Sequence, residues 1–413
     1  MEMGAAGRDV RVGVIGLGGR GFGQLQLLAL MPDVKITAVC DLYEDRVKRS
    51  GDYLAEALSA RPFETTDYRE VLKREDVETV IIMTSWQTHI LIAVDAMKQG
   101  IIPALEVGGA SSVDECWQLV RTSEATGIPC MLLENCCYGK EEMTLLNMVR
   151  QGVFGELVHC QGGYQHDLRE EIGRGDIDRH YRLANFLHRN AELYPTHELG
   201  PIAKYLNINR GNRMVSLVSM ASKARGQSAW LKENRPDDPL ADMTFNQGDI
   251  VTTMIKCING ETILLIHDCT LPRPYSRGGR IQGTRGIWQE DNRGIYIDGR
   301  SPVDPDFWTH RWESDAAYME EYCHPLWVEY EAFGRRGGHG GMDYLVLRGY
   351  IESIQQQQPF PIDVYDTAAW MAITALSEES IAMGGMPVPV PDFTDGRYMT
   401  PRPAHQGRYA LDW

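Results

Sequence analysis

Residues 10–41 read VRVGVIGLGGRGFGQLQLLALMPDVKITAVCD. A β-branched apolar run (Val10, Val12, Val14, Ile15) gives way to Gly16-Leu17-Gly18-Gly19-Arg20-Gly21. An apolar helical stretch from Leu25 to Met31 follows, and a second strand, Val34 to Cys40, ends at Asp41. Strand, glycine turn, helix, strand and acid in this order are the pattern of a dinucleotide-binding βαβ unit. Gly16 permits the tight turn, Gly18 lets the backbone approach a pyrophosphate, and Gly21 lets helix and strand pack closely. The N–H groups at the helix start favour the anion. Asp41, twenty positions past the last glycine, offers its carboxylate to ribose hydroxyls and repels a 2′-phosphate, so NAD is expected over NADP. Arg20 and Arg46 lie close enough in sequence to soften that preference. An ordinary glycine-rich turn would leave Asp41 without a role.

Outward from this unit, strand patterns at 10–15, 34–40, 78–83, 101–106 and 129–133 alternate with helical patterns at about 20–30, 44–60, 68–74, 87–99 and 112–125. Such alternation predicts a parallel sheet with helices on both faces, a Rossmann domain over 1–135. The pattern then changes. A helix is expected over 140–151. Long strands follow at 156–165, 214–223, 248–258 and 261–270, with Asn259-Gly260 as a hairpin turn. They predict a second domain, 136–413, of α+β class on an open, mostly antiparallel sheet. Residues 167–192, 225–246 and 289–338 read as loop-rich. Helices are expected at 342–356 and 365–383, before a Pro-rich tail that packs back on a domain or on a partner subunit.

The 413 residues carry a net charge of −16, with 43% hydrophobic and 24% charged side chains. This acidic balance speaks against nucleic acid and anionic membranes as partners. The N-terminus MEMGAAGRDV has no apolar core of a signal peptide, and no apolar run approaches a membrane span. The nine cysteines form no C-x-x-C pair and read as reduced core thiols of a cytoplasmic protein. No H-E-x-x-H pattern or cysteine knuckle occurs, so no metal is expected. G-x-S-x-G is also absent.

Polar groups gather where strands end. Thr84-Ser85-Trp86-Gln87-Thr88-His89 follows the third strand, at the ligand crevice of such sheets. It reads either as an N-capped turn or as a wall for the ribose and nicotinamide. Glu106-Val107-Gly108 and Glu134-Asn135 end the next two strands. The acids either bind cofactor or merely cap helices and pair with arginines. In the second domain, Tyr164 and His166 share one strand face. Tyr194-Pro195-Thr196-His197-Glu198 stands at an element boundary, a setting for a catalytic histidine as much as for a structural one. Tyr275 follows a strand at a rigid Pro-rich turn.

Four further stretches are more specific than the glycine turn: ENCCYGKEEMTLLNMVRQGVFGELVHCQGGYQHDLR (134–169), LYPTHELGPIAKYLNINRGNR (193–213), LPRPYSRGGRIQGTRG (271–286) and GGHGGMDYL (337–345). With them the chain resembles the glucose-fructose oxidoreductase / inositol dehydrogenase (Gfo/Idh/MocA) superfamily over nearly its full length. Within it the chain looks most like the NAD-dependent α-N-acetylgalactosaminidases, glycoside hydrolase family 109. The resemblance implies cofactor contacts from Gly19, Arg20, Asp41, Trp86, Gln87, Thr88, His89, Glu106, Val107, Asn135 and Tyr194. It implies that the sugar meets Tyr164, Arg182, Tyr194, Pro195, Thr196, His197 and Tyr275. Three departures stand out. Glu106-Val107-Gly108 replaces the Glu-Lys-Pro of ordinary dehydrogenases, so their catalytic lysine is missing. Leu193 replaces a frequent Asp four residues before the histidine. Glu198 stands where these glycosidases usually have Gly.

The first two departures favour a glycosidase over a simple dehydrogenase, and the resemblance implies that it works by a redox route. Sugar C3 is oxidised while a base takes the O3 proton, and the ketone makes C2–H acidic. The glycosidic oxygen then leaves by elimination across C1–C2, water adds, and hydride returns to C3. Two flanking carboxylates are not required on this path. His197 is the candidate for O3 and Tyr164 for the C2 proton, with Arg182 and Tyr275 positioning the sugar and Tyr275 counted among the catalytic candidates. A tyrosine is a weak base near neutral pH, so Tyr164 needs a depressed pKa or a relay through His166. The alternatives are a sugar dehydrogenase or 3-keto-glycoside-processing enzyme, and a nucleotide-binding regulator without turnover. The expected partners are a glycoside and further copies of the chain in a homo-oligomer.

Overall fold

The computed structural model describes residues 7–303 and 311–412. The first residues of the segment read as lacking a signal peptide, 1–6, lie outside that range, as do 304–310 within the stretch expected to be irregular. The chain forms two compact units.

The first unit holds a six-stranded parallel sheet in the order β3-β2-β1-β4-β5-β6. Its strands are β1 (Val10–Ile15), β2 (Val34–Cys40), β3 (Phe63–Thr65), β4 (Thr79–Ile82), β5 (Ile102–Leu105) and β6 (Met131–Leu132). Helices α1 (Gly19–Ala29), α2 (Glu44–Leu58), α3 (Tyr68–Leu72), α4 (Trp86–Lys98) and α5 (Val113–Thr126) alternate with them. Val10, Val12 and Val14 are fully buried, as an apolar strand covered on both faces must be. Helix α5 begins at a capping box, Ser112 with Glu115, and ends at Gly127 with φ +70°. The edge strand β3, which the pattern did not predict, joins the far side of β2.

The second unit holds nine strands in the order β14-β13-β12-β11-β7-β10-β9-β8-β15. After α6 (Lys140–Arg150), β7 (Leu157–Gln165) runs into the short helices α7 (Arg169–Gly173) and α8 (Arg182–His188), then α9 (Thr196–Tyr205). Strand β8 (Met214–Ala221), helix α10 (Gly226–Asn234), β9 (Ile250–Cys257) and β10 (Thr262–Asp268) follow. Strand β9 alternates buried and exposed residues, the mark of a sheet covered on one face. Ladders are antiparallel except one. Strands β7 and β10 pair in parallel, with Tyr164 opposite His267.

One expectation is corrected here. The region read as irregular from 289 carries β13 (Gly294–Ile297) and β14 (Glu313–Ser314), which with β11 (Arg280–Gly283) and β12 (Gly286–Gln289) just before it extend the sheet beyond β7. Helices α11 (Ala316–Glu321) and α12 (Pro325–Phe333) complete that region. The two compact units are each discontinuous in sequence. The first runs through Lys140 and takes back His324–Ala368 and the chain from Arg402. The second comprises Glu141–Cys323 and Ala369–Pro401. Helix α13 (Met342–Gln356) therefore belongs with the nucleotide fold, anchored by the buried pair Arg348–Asp33 at 2.7 Å. Helix α14 (Val364–Ala382) precedes the tail. The tail packs on its own chain: β15 (Val388–Pro389) pairs with β8, and Tyr138 Oη donates to the Tyr409 carbonyl at 2.9 Å.

Candidate active site

In the first unit the glycine turn closes as its sequence requires. Gly16 has φ +96°, and its N–H donates to the Cys40 carbonyl at 2.7 Å. A Cβ on Gly21 would run into the Gly16 carbonyl, so strand and helix touch there. A Cβ on Gly19 would meet nothing within 4 Å, which leaves open space over the first amides of α1. Those amides are the ones a helix leaves without intrahelical partners. Asp41 is buried beside them, its Oδ2 accepting from Leu17 N at 2.7 Å and its Oδ1 from Tyr43 N at 3.0 Å. The carboxylate is thus aimed by the turn itself, and each oxygen keeps a lone pair for a ribose hydroxyl. Arg46 Nη1 lies 3.8 Å from Asp41. Arg20 turns elsewhere. These residues fit a dinucleotide: an open helix start for the pyrophosphate and a fixed acid for the ribose.

At the strand ends these residues make the following contacts. Ser85 is the N-cap of α4 without a side-chain cap bond. Thr88 Oγ1 instead ties back to Thr84 Oγ1 at 2.8 Å. His89 is buried, with Nε2 3.0 Å from the Thr84 carbonyl, and burial pushes its pKa down to about 4. It is a neutral brace. Trp86 and Val107 are buried, and a Cβ on Gly108 would strike the Trp86 indole. Glu134 caps the turn after β6, its Oε1 accepting from Cys136 N at 3.0 Å. Glu106 pairs with Arg20 at 3.2 Å. Gln87 stands in the first turn of α4.

Sequence reasoning missed the residue that gathers these groups. Asp343, on the first turn of α13, binds Arg20 through both oxygens at 2.6 and 3.0 Å. It also accepts from Asn135 Nδ2 at 2.6 Å and meets His339 Nδ1 at 2.8 Å. Its pKa is lowered despite burial, because His339 and Arg20 stabilise the anion. The sequence signal was GGHGGMDYL itself, where His339, Gly340 and Gly341 all take positive φ to present the helix start. One prediction arises here. Asp41→Ala should raise the NAD dissociation constant at least about tenfold while leaving NADP affinity no worse, measured by fluorescence titration. Unchanged affinity for both would remove Asp41 from the site.

In the second unit the other predicted residues converge. Tyr164, at the end of β7, has its ring 4.5 Å from Tyr194, 5.5 Å from His197 and 6.4 Å from Tyr275. His197 and Tyr194 rings stand edge to face at 4.7 Å. Arg182, buried on the first turn of α8, lies over Tyr194 at 5.0 Å and Tyr164 at 5.6 Å, and Glu171 holds its Nε at 2.9 Å. Pro195 is the N-cap of α9, which presents Thr196 and His197 on its first turn. Thr196 Oγ1 is buried with no hydrogen-bond partner among the described residues. His166 Nδ1 sits 3.2 Å from Tyr164 Oη, and its ring 5.1 Å from Tyr275.

The depressed tyrosine pKa is not found. Burial pushes Tyr164 up to about 12, against the opposing charge of Arg182. Burial, then Arg182, lowers the pKa of His166. At neutral pH the pair is therefore a neutral phenol beside a neutral imidazole, the arrangement of a proton relay. Three acids of this unit stand against arginines: Asp167 forms a two-point pair with Arg169 at 2.7 and 2.8 Å, Glu171 lies 2.9 Å from Arg182 Nε, and Glu198 lies 3.4 Å from Arg277 Nε.

Fold and glycine turn together define a chain of the NAD-binding Rossmann class. Residues 10–133 match the model of the oxidoreductase family, NAD-binding Rossmann fold, and residues 138–400 that of the glycosyl hydrolase 109 C-terminal domain. The chain belongs to glycosyl hydrolase family 109 and, with it, to the glycoside hydrolases. It is 41% identical to a glycosyl hydrolase family 109 protein of Stenotrophomonas maltophilia, covering 98% of this chain and 94% of that one. It is also 41% identical to an alpha-N-acetylgalactosaminidase of Tannerella forsythia, over 96% and 88%. The scyllo-inositol dehydrogenase structure of Lactobacillus casei shares the fold, with TM-score 0.66 at 11% identity over 94% and 99%.

Proposed function

We propose that the chain is an NAD-dependent glycosidase that cleaves α-N-acetylgalactosaminides or closely related glycosides by transient oxidation at C3. The observation that carries this reading is the Tyr164–His166–Tyr194–His197–Arg182 cluster, built from phenols, imidazoles and a guanidinium, with Asp167, Glu171 and Glu198 each beside an arginine. Direct hydrolysis uses two carboxyl groups flanking the scissile bond. Bound NAD would supply a hydride acceptor that also returns the hydride, so a sugar carbon can be oxidised and restored within one turnover.

The chain's own residues then have defined tasks. His197 holds sugar O3 and takes its proton. With a ketone at C3, the C2 proton passes to the Tyr164 hydroxyl as that hydroxyl gives its own proton to His166 Nδ1. No phenolate is needed, which suits a tyrosine whose pKa burial has raised. Arg182 orients the ring through polar contact with its hydroxyls, and Tyr275 contributes a hydroxyl from the opposite turn. Asp41 and the α1 amides hold the dinucleotide. The enzyme works in the cytoplasm as a homo-oligomer. Buried thiols outside disulfides, such as Cys40, Cys116 and Cys160, support a reducing compartment. No helix among the described residues is long and apolar enough to cross a membrane.

The test is a panel of aryl glycosides, followed at once for aryl release and for absorbance of reduced cofactor. The reading predicts aryl release with no net NADH. NADH formed in step with substrate loss would establish a dehydrogenase instead.

A further inference from the structure

Glu192 lies two residues before Tyr194, fully buried, and takes no part in the proposed proton transfers. Its main chain is clamped against α14. Glu192 N donates to Ser377 Oγ at 2.9 Å, and Thr374 Oγ1 donates to the Glu192 carbonyl at 2.7 Å. Gln247 holds both backbone groups of Ala191, the residue before it, at 3.0 and 2.9 Å. These bonds fix the point from which the carboxyl projects. Its Oε1 accepts from Tyr194 N at 3.4 Å, and Oε2 has no hydrogen-bond partner among the described residues.

The buried acids Asp33 and Asp343 each meet an arginine, at 2.7 and 2.6 Å. Among the described residues no cation pairs with Glu192. On the segments packed about it, Arg189 is paired with Glu378 of α14 at 2.6 Å, and Asp249 accepts from Gly226 N and Thr270 Oγ1. Lys204 of α9 faces the Trp370 ring at 5.9 Å. The Cys269 thiol, kept neutral by burial, and the Tyr194 phenol carry no positive charge. A lone buried carboxylate costs far more than one long amide bond returns, so this group is carried as the neutral acid. Burial accordingly pushes its pKa up to about 8, against the opposing Tyr194 amide. Once ionised, the carboxylate finds relief only by opening its segment to water, which gives up the Tyr194 bond. The Tyr194 ring transmits that change, because it packs 4.5 Å from Tyr164, 4.7 Å from His197 and 5.0 Å from Arg182.

We propose that Glu192 is a positioning residue whose protonated carboxyl holds the Tyr194–His197 turn in its sugar-binding shape and whose ionisation releases it. The consequence for sugar binding rests on the glycosidase reading; the neutral acid beneath the turn does not.

The experiment compares the full chain with Glu192→Gln, whose amide keeps the volume and the acceptor oxygen and never ionises. If only the protonated form binds sugar, the competent fraction falls about tenfold from pH 7 to pH 9. KM of the native chain for an aryl α-N-acetylgalactosaminide should rise by that factor, while KM of Glu192→Gln stays within about threefold. Glu192→Ala, which lacks the acceptor, should raise KM about fivefold already at pH 7. NAD affinity should be the same in all three.

Melting temperature gives a reading without any glycoside. A carboxyl whose folded pKa stands above its unfolded value contributes its full stability below the unfolded pKa and loses it as pH rises through the folded one. The native chain should therefore lose melting temperature relative to Glu192→Gln from about pH 5 to about pH 8, and the two should run parallel above that. A difference that does not change with pH would overturn the proposal, whatever the chain cleaves. Parallel KM profiles in an active enzyme would overturn it as well. The predicted melting pattern in a chain that cleaves no glycoside would remove the glycosidase reading and keep the neutral acid at the turn.

Discussion

His197→Ala should lower kcat/KM for a competent aryl glycoside by about a thousandfold or more. Base catalysis by a placed side chain contributes about a hundred- to ten-thousandfold, and here every later step waits on the O3 proton. His197 sits on the first turn of α9, with its ring packed against Tyr164 and Tyr194 at 5.5 and 4.7 Å. A bulk-preserving His197→Gln separates loss of the base from loss of packing and should be nearly as inactive. In single turnover neither variant should form bound reduced cofactor, while NAD titrates into both with native affinity. A loss of only a few fold would mean that another group takes the O3 proton.

Tyr164→Phe should cost about a hundredfold or more in aryl release, but at a different step. The ring contacts survive in phenylalanine, so the sugar and His197 keep their places. Oxidation at C3 should persist and be visible as a transient of reduced cofactor. What fails is the relay at C2, because His166 Nδ1 can no longer reach the carbon through the hydroxyl 3.2 Å away. His166→Ala should therefore behave alike, whereas a tyrosine acting alone as an anion would tolerate that change. The burial-raised pKa of Tyr164, about 12, is why the anion is not expected. If Tyr164→Phe abolishes the reduced-cofactor transient, the tyrosine serves O3 and the two assignments must be exchanged.

Much of the fold was legible because its signals are local. Strands β1 and β2 fall where apolar runs placed them, and the glycine turn lies between. Strand β3 escaped because its three residues, Phe63–Thr65, are half-buried at a sheet edge and carry no periodicity. Strands β11 to β14 escaped because they are two to four residues long, with a glycine at one end of β11, β12 and β13. Their apolar residues Ile281, Trp288 and Ile295 find a core only beside β7. The parallel pairing of β7 with β10 joins segments about a hundred residues apart, which no local pattern encodes. The site divides the same way. Asp41, Tyr164 and His197 stand in motifs whose neighbours announce them. Asp343 meets Arg20, 323 positions away, so its place beside these groups emerges only once the chain is folded.

The proposed route requires the C2–H bond to break and re-form in each turnover. The direct measurement is proton NMR of the sugar released from an α-N-acetylgalactosaminide in deuterated water. Deuterium is expected at C2 and the original hydrogen at C3, returned from a cofactor that never leaves. Product with only hydrogen at C2, formed while aryl release is fast, would contradict elimination. It would turn the search to a carboxylate pair, beginning with Glu198 and Asp167.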